Sequence, residues 1–289
     1  MMAALHTAEV YQEHTIGDFN THTVSRNVAS LMSTLEDKSL LLRALTLATR
    51  LLEWENGLRI WSMIFFATEK VQIDEDLYVL RMAAHQCWDP GELHLAVQCR
   101  LAAMTEQVDF YWHEDLARAE DGSTELIGPR SCRIFINSES RFKLAEAPPG
   151  SLEYHSCLTT LANTLCHELA HAAMMLRADY RAGDRCVLEG CETSEEGFEL
   201  EAALWGGVLL ETRDMNRIVV PQMLQWPDVR ITDAHDEVSG GQRIFRPSAQ
   251  VTRPWRALRH GFLEFVCESS VETALRRPEP EDFEGYYNR

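Results

Sequence analysis

Two histidines, with a glutamate and two apolar residues between them, are the residues of this chain best suited to chemistry. Residues 167–171 read His-Glu-Leu-Ala-His. Residues four apart share one face of an α-helix, so His167 and His171 can reach a single metal ion while Glu168 stands beside it. A catalytic zinc ion takes three protein ligands and one water, whose proton a neighbouring carboxylate can accept. The pattern therefore predicts two metal ligands and a general base.

The residues around this motif favour a helix. No Pro or Gly interrupts residues 156–179, and leucines recur there at helical spacing, namely Leu158, Leu161, Leu165 and Leu169. An ordinary core helix seldom carries two histidines and a glutamate at this spacing. The alternatives to a catalytic site are a chance match and a metal site with a purely structural role.

The length and composition are those of a globular protein with a sizeable core. The chain has 289 residues, of which 45% are hydrophobic. We expect an α+β fold, mainly helical, with a small β-sheet beside the motif helix. Residues 1–107 are expected to form a helical lobe and residues 108–289 a catalytic region, the two making one compact unit.

The charge of the chain excludes several classes of partner. A formal net charge of −18 and a pI of about 5.0 disfavour binding to nucleic acid or to an anionic membrane surface. No apolar run approaches the ~20 residues of a membrane span, and residues 1–20 lack the basic start and apolar core of a secretory signal. We expect a cytoplasmic protein, whose oligomeric state the sequence leaves open.

Cysteines are numerous but scattered. Eight are present and no signal peptide accompanies them, so reduced thiols are expected: Cys87, Cys99, Cys132, Cys157, Cys166, Cys186, Cys191 and Cys267. For Cys186 and Cys191, which lie close together in a Gly-containing loop, a disulfide or a second metal stays open as an alternative.

The N-terminal part carries helical signals. Residues 33–36 resemble a capping box ahead of an apolar stripe, and Asn56-Gly57 interrupts the pattern. Asp74 is expected to cap a helix bearing Leu77 and Leu80, and Pro90-Gly91 to begin a further helix.

The segment before the motif is typical of a β-strand. Cys132–Asn137 alternates in polarity and is rich in β-branched and aromatic residues. Such a strand is either an exposed edge to which an extended peptide adds, or an ordinary half-buried strand.

The C-terminal part is less regular. Val219-Val220 and residues 229–231 are β-prone, and Gly240-Gly241 marks a turn. Residues 256–274 are expected to be helical and residues 277–282 to form a surface tail.

A third metal ligand is expected from an acidic run downstream of His171. Catalytic zinc sites with two histidines and a carboxylate take the carboxylate from a later helix. Six glutamates compete on charge alone: Glu189, Glu192, Glu195, Glu196, Glu199 and Glu201.

One resemblance narrows this choice. Residues 195–198, Glu-Glu-Gly-Phe, resemble the Asn-Glu-Gly-Phe segment of gluzincin aminopeptidases, which also carry His-Glu-Leu-Ala-His and use that glutamate as third ligand. Glu196 is the matching residue. Its separation from His171 is longer than in that family, and Glu195 stands where the family has asparagine.

A second resemblance, to SprT-like metallopeptidases including fungal relatives, covers residues 132–207. The shared order is a short strand, the motif helix, a cysteine-containing loop and a third-ligand segment, where Glu196 again stands in place of that family's histidine. Both resemblances imply a zincin, that is, a zinc-dependent hydrolase that cleaves a peptide or small-molecule amide bond. Glu168 would be the base, and His167, His171 and Glu196 the ligands.

Further roles and rival functions are also expected. Glu199 would orient a ligand histidine, and His235, His260, Tyr286 and Tyr287 are candidates for stabilising an oxyanion or donating a proton. The same ligands can hold Fe²⁺ in place of Zn²⁺ and serve a small-molecule tailoring enzyme. A non-catalytic binding protein clamped by the metal is the other rival.

Overall fold

The fold is α+β, which confirms the expected class. The computed structural model describes residues 35–75, 77–83, 88–113, 121–182, 184–191, 193–213, 219–224, 255–270 and 273–287. Seven α-helices lie in these ranges: α1 (Leu35–Glu53), α2 (Leu58–Phe66), α3 (Pro90–Ala103), α4 (Ser138–Glu146), α5 (Leu152–Met175), α6 (Glu196–Trp205) and α7 (His260–Glu268). Short 3₁₀ turns occupy Glu55–Gly57, Met104–Glu106 and Pro280–Asp282.

Helix α5 carries the motif and lies at the centre of the core. The Ser151 hydroxyl accepts a hydrogen bond from the Tyr154 N–H at 3.1 Å and so caps the first turn. The helix packs against α1, α6 and α7. Leu165 and Leu169 are fully buried, as the leucine spacing predicts. The predicted helix is confirmed, although it begins at Leu152 and ends at Met175.

A three-stranded sheet lies against α5 and contains the predicted strand. Its strands are β3 (Val108–His113), β4 (Gly122–Gly128) and β5 (Ser131–Asn137), in the order β3-β5-β4. Strand β5 pairs in parallel with β3 and antiparallel with β4. The strand prediction is confirmed, and of its two alternatives the exposed edge is excluded because both sides of β5 are paired. The edge strand beside α5 is β4.

A second sheet replaces one predicted helix. Strands β1 (Glu69–Asp74) and β2 (Leu77–Arg81) form an antiparallel hairpin, and β6 (Arg185–Leu188) pairs in parallel with β2. The helix predicted after Asp74 is therefore wrong. Tyr78 and Val79 favour a strand, and β6, about a hundred residues later, supplies hydrogen bonds that a local pattern does not reveal.

Other N-terminal predictions hold. The Asp89 carboxylate accepts a hydrogen bond from the Gly91 N–H at 2.9 Å, which caps α3 at the predicted position. A 3₁₀ turn separates α1 from α2 at Asn56-Gly57. Of the capping box, residues 33–34 lie outside the described residues.

A four-stranded antiparallel sheet closes the C-terminal part. It consists of β7 (Val208–Arg213), β8 (Val219–Leu224), β9 (Trp255–Leu258) and β10 (Phe283–Tyr287), in the order β10-β9-β8-β7. The helix expected over residues 256–274 is restricted to α7, because residues 255–258 pair with β8 and β10. Residues 277–282 lead back to the sheet rather than ending in a tail. Residues 229–231 and Gly240-Gly241 lie outside the described residues.

The structure bears on two further expectations, the state of the cysteines and the lack of a membrane span. The seven cysteines in the described ranges are free thiols, Cys186 and Cys191 among them, as expected. In those ranges, no helix combines the length and the apolar character that crossing a membrane requires.

Candidate metal centre

Three donor atoms converge between α5 and the start of α6. The Nε2 atoms of His167 and His171 lie 3.2 Å apart. One carboxylate oxygen of Glu195, Oε1, lies 3.3 Å from the first Nε2 and 2.7 Å from the second. Among the described residues, these three form a group whose atoms could hold one metal ion.

Each histidine is oriented by a second carboxylate. His167 Nδ1 lies 2.7 Å from Glu201 Oε1, and His171 Nδ1 lies 3.0 Å from Glu196 Oε1. Metal-ligating histidines commonly donate their other N–H to such a group, which fixes both the tautomer and the ring direction. Because both Nδ1 atoms are engaged, both Nε2 atoms are directed toward Glu195.

Glu201 is itself held in place. Its second oxygen, Oε2, accepts a hydrogen bond from the Leu209 N–H at 3.1 Å, at the start of β7. The residue is 3% exposed, and an ionised group so buried requires partners of this kind. The contact connects the centre to the four-stranded sheet.

Helix α6 begins at the position that brings Glu195 to the histidines. Glu195 is the N-cap residue, and its carbonyl accepts the first helical hydrogen bond from the Glu199 N–H. Its carboxylate makes no capping bond to its own helix. The side chain reaches the two imidazoles instead, at the positive end of the helix dipole.

Two residues of α6 press directly on the His167 ring. A Cβ atom on Gly197 would lie 2.5 Å from ring atoms Cδ2 and Nε2, and the Phe198 ring makes an edge contact at 4.7 Å between centroids. Only glycine allows α6 to approach the imidazole this closely.

This close approach gives the first prediction. We expect Gly197→Ala to displace the His167 ring and weaken zinc binding about 10- to 100-fold, the usual cost of disturbing a ligand's support. Competitive titration with a zinc indicator measures the effect. Gly261→Ala in α7, where an added Cβ meets nothing within 4 Å, is the matched control. Unchanged affinity in Gly197→Ala would mean that the ring position does not govern binding.

The electrostatics of the centre favour a cation. Burial lowers the pKa of an imidazole, but hydrogen bonds to Glu195 and Glu201 outweigh burial and raise the pKa of His167 to about 10. Burial is likewise outweighed at His171, where Glu195 and Glu196 raise the pKa well above its usual value. Two protons then offset part of the charge of three buried carboxylates. One divalent ion can replace both protons without changing the net charge, so metal binding must release protons.

The donor set fits a transition metal. Tetrahedral zinc with bonds of about 2.0–2.1 Å separates its ligand atoms by roughly 3.3 Å. Two of the three separations are 3.2 and 3.3 Å, and the third, 2.7 Å, is a hydrogen-bond length between His171 and Glu195. Two imidazoles and one carboxylate also make up the ligand set of non-haem iron.

Glu196 and Glu199 occupy other places than the sequence predicts. The Glu196 carboxylate lies on Nδ1 of His171 and not beside the paired Nε2 atoms. The geometry therefore favours Glu195 as third ligand and gives Glu196 the orienting role expected of Glu199. The Glu199 carboxylate instead accepts hydrogen bonds from the N–H and hydroxyl of Thr193, at 3.2 and 3.0 Å.

Glu168 directly follows His167 on α5. It is 5% exposed, and its Oε2 accepts a hydrogen bond from the Thr124 hydroxyl at 2.7 Å. The part of Glu168 as the general base stays a prediction. Thr124 carries no signal in the sequence that would have identified it.

Of the remaining candidates, His260 lies away from the centre. His260 Nε2 lies 3.1 Å from His155 Nδ1, and His155 precedes His167 by twelve residues, or about 18 Å of helix. His235 lies outside the described residues. The backbone of Tyr286 and Tyr287 belongs to β10.

Comparisons with known proteins do not extend this description: no family model, no curated protein and no solved structure matches the chain.

Proposed function

We propose that this protein is a zinc-dependent hydrolase of the zincin type that cleaves a peptide or amide bond. The observation that carries the proposal is the convergence of two Nε2 atoms and one carboxylate oxygen, on a helix where Glu168 directly follows the first histidine. The two-histidine motif and a glutamate from a downstream helix are features that gluzincins share.

The residues take distinct roles in this proposal. His167, His171 and Glu195 hold the ion, and Glu196 and Glu201 keep the imidazoles in position. Zinc bound there would polarise the substrate's carbonyl and lower the pKa of a bound water toward ~7. Glu168 would accept a proton from water at this site and return it to the leaving amine. The buried carboxylates on Nδ1 also make the imidazoles better ligands.

The edge strand supports a peptide as substrate. Among the described strands, β4 pairs with β5 alone, and it lies against α5 at Glu168. An extended peptide that paired with the side of β4 away from β5 would pass the Glu168 carboxylate. The net charge of −18 disfavours nucleic acid as an alternative partner.

The solvent exposure of the ligands argues for catalysis over a structural clamp. The side chains of His167 and His171 are 14% and 19% exposed. A structural zinc site is closed by four protein ligands, whereas a catalytic site leaves a position open. Among the described residues, the group contains three candidate ligands.

Removal of the metal tests the proposal. We expect the purified protein to carry about one zinc per chain and to cleave members of a mixed library of peptides and small-molecule amides. A chelator should reduce the cleavage rate by at least about 100-fold, and stoichiometric zinc should restore it. Cleavage that persists in protein shown by elemental analysis to be free of metal would refute the proposal.

An iron-dependent enzyme acting on a small molecule is the second candidate. It is favoured by the ligand set, since two histidines and one carboxylate also bind Fe²⁺ in oxygenases. Iron in protein purified without oxygen, together with substrate-dependent oxygen consumption and no amide cleavage, would select it over the hydrolase.

A further inference from the structure

The Glu168 side chain is held by the edge strand β4 at two points. The Thr124 Oγ1 atom lies 2.7 Å from Glu168 Oε2 and 3.1 Å from the Glu168 carbonyl oxygen. A threonine hydroxyl has one proton to donate. The carboxylate oxygen is both nearer and charged, so it is the stronger acceptor.

The second point is a close approach of backbone to the stem of the side chain. A Cβ atom on Gly122 would lie 2.8 Å from Glu168 Cγ and 2.9 Å from Oε1. The same Cβ atom would lie 2.9 Å from Thr164 Cγ2, one turn earlier on α5. The backbone at Gly122 therefore lies close against α5 and leaves no room for a side chain beside Glu168.

These two contacts act from one side of the strand. Gly122 and Thr124 are two residues apart, so both face α5. Gly122 lies against the stem of Glu168, and Thr124 fixes its carboxylate by a hydrogen bond. A glutamate otherwise samples many rotamers, and a base that must meet a water in one geometry gains from losing them before the reaction.

We propose that Thr124 is a positioning residue for Glu168, and that Gly122 is the backbone contact that makes this arrangement possible. This inference rests on the proposed hydrolase function. The Thr124 hydroxyl lies against two acceptors of Glu168, which is not itself a candidate ligand, so the loss of Thr124 should affect turnover and leave metal binding intact.

The test compares Thr124→Val with Thr124→Ser in the zinc-loaded protein. Valine keeps the branched shape and removes the hydroxyl, and serine keeps the hydroxyl. We expect kcat to fall about tenfold in Thr124→Val, the lower end of the effect of a hydrogen bond to a charged group. KM should stay within about twofold, and Thr124→Ser should recover most of the rate.

A second pair of variants tests the backbone contact. We expect Gly122→Ala to push Glu168 aside and lower kcat at least as much as Thr124→Val. Gly261→Ala, where the added Cβ meets nothing within 4 Å, should keep the full rate. Zinc content and the visible spectrum of the cobalt-substituted protein should match wild type in all these variants, because the ligand set is unchanged.

The outcomes separate this inference from the function on which it rests. Wild-type turnover that needs Glu168, combined with a full rate in Thr124→Val, overturns the positioning role alone. Equal losses in Thr124→Val and Thr124→Ser, or an altered cobalt spectrum in either, would show a structural effect and also overturn it. If the wild-type protein cleaves no substrate in the library, the proposed function and this role fail together.

Discussion

Glu195→Gln is expected to lose its metal almost completely. Its Oε1 is the oxygen that converges with the Nε2 atoms of His167 and His171, at 3.3 and 2.7 Å. An amide of the same size keeps the packing but removes the negative charge and replaces the carboxylate oxygen, a strong metal ligand, with a weaker one. Because the loss of an outer carboxylate already costs about 10- to 100-fold in metal affinity, we expect the loss of this ligand to exceed about 100-fold. Zinc titration of the purified variant measures it.

Two neighbouring glutamates provide matched controls. Glu196→Gln replaces the charged acceptor on His171 Nδ1 with a neutral amide and should weaken binding by about 10- to 100-fold. Glu199→Gln, on the same helix turn but bound to Thr193, should bind zinc as wild type does. If Glu196→Gln bound no zinc and Glu195→Gln kept its zinc, the third ligand would be Glu196, as the sequence resemblance implies.

Local sequence was sufficient to predict the elements that depend on local interactions. The leucine spacing around His167 and His171 predicted α5, and the alternation of Cys132–Asn137 predicted β5. Helix α3 begins at its predicted Pro90-Gly91. In each of these cases, side-chain periodicity or a cap determines the structure within a few residues.

The choice between Glu195 and Glu196 depends on where a helix begins. Successive residues on a helix point about 100° apart, so a shift of one position moves a carboxylate from one side of an imidazole to another. Glu195 is the last residue before α6 and Glu196 the first within it. The acidic run has a glutamate at both positions, so its composition does not determine which of the two faces the Nε2 atoms.

Long-range pairing explains the other places where the structure differs from the sequence predictions. Strand β2 pairs with its neighbour β1 and also with β6, about a hundred residues later, and β5 is central because β3 joins it in parallel. The contact between Thr124 and Glu168 likewise joins residues 44 apart in sequence. Such contacts follow from the packing of whole elements, which a local pattern does not encode.

Glu168→Gln is expected to keep the metal and abolish turnover. Glutamine retains the size of the side chain and an oxygen that can accept the hydrogen bond from Thr124, but it has no basic carboxylate. General base catalysis contributes about 10²- to 10⁴-fold, so we expect kcat to fall within that range while zinc content stays at the wild-type level. Glu153→Gln, in the first turn of the same helix, should be fully active.

The double variant Glu168→Gln with Thr124→Val distinguishes a shared role from two separate ones. If Thr124 acts only by positioning the base, its loss should have no further effect once the base is gone, so the two changes should not add. A further tenfold loss in the double variant would mean that Thr124 contributes by another route. Substantial cleavage by Glu168→Gln itself would remove the glutamate from the proton transfer and leave the three-ligand centre without its proposed base.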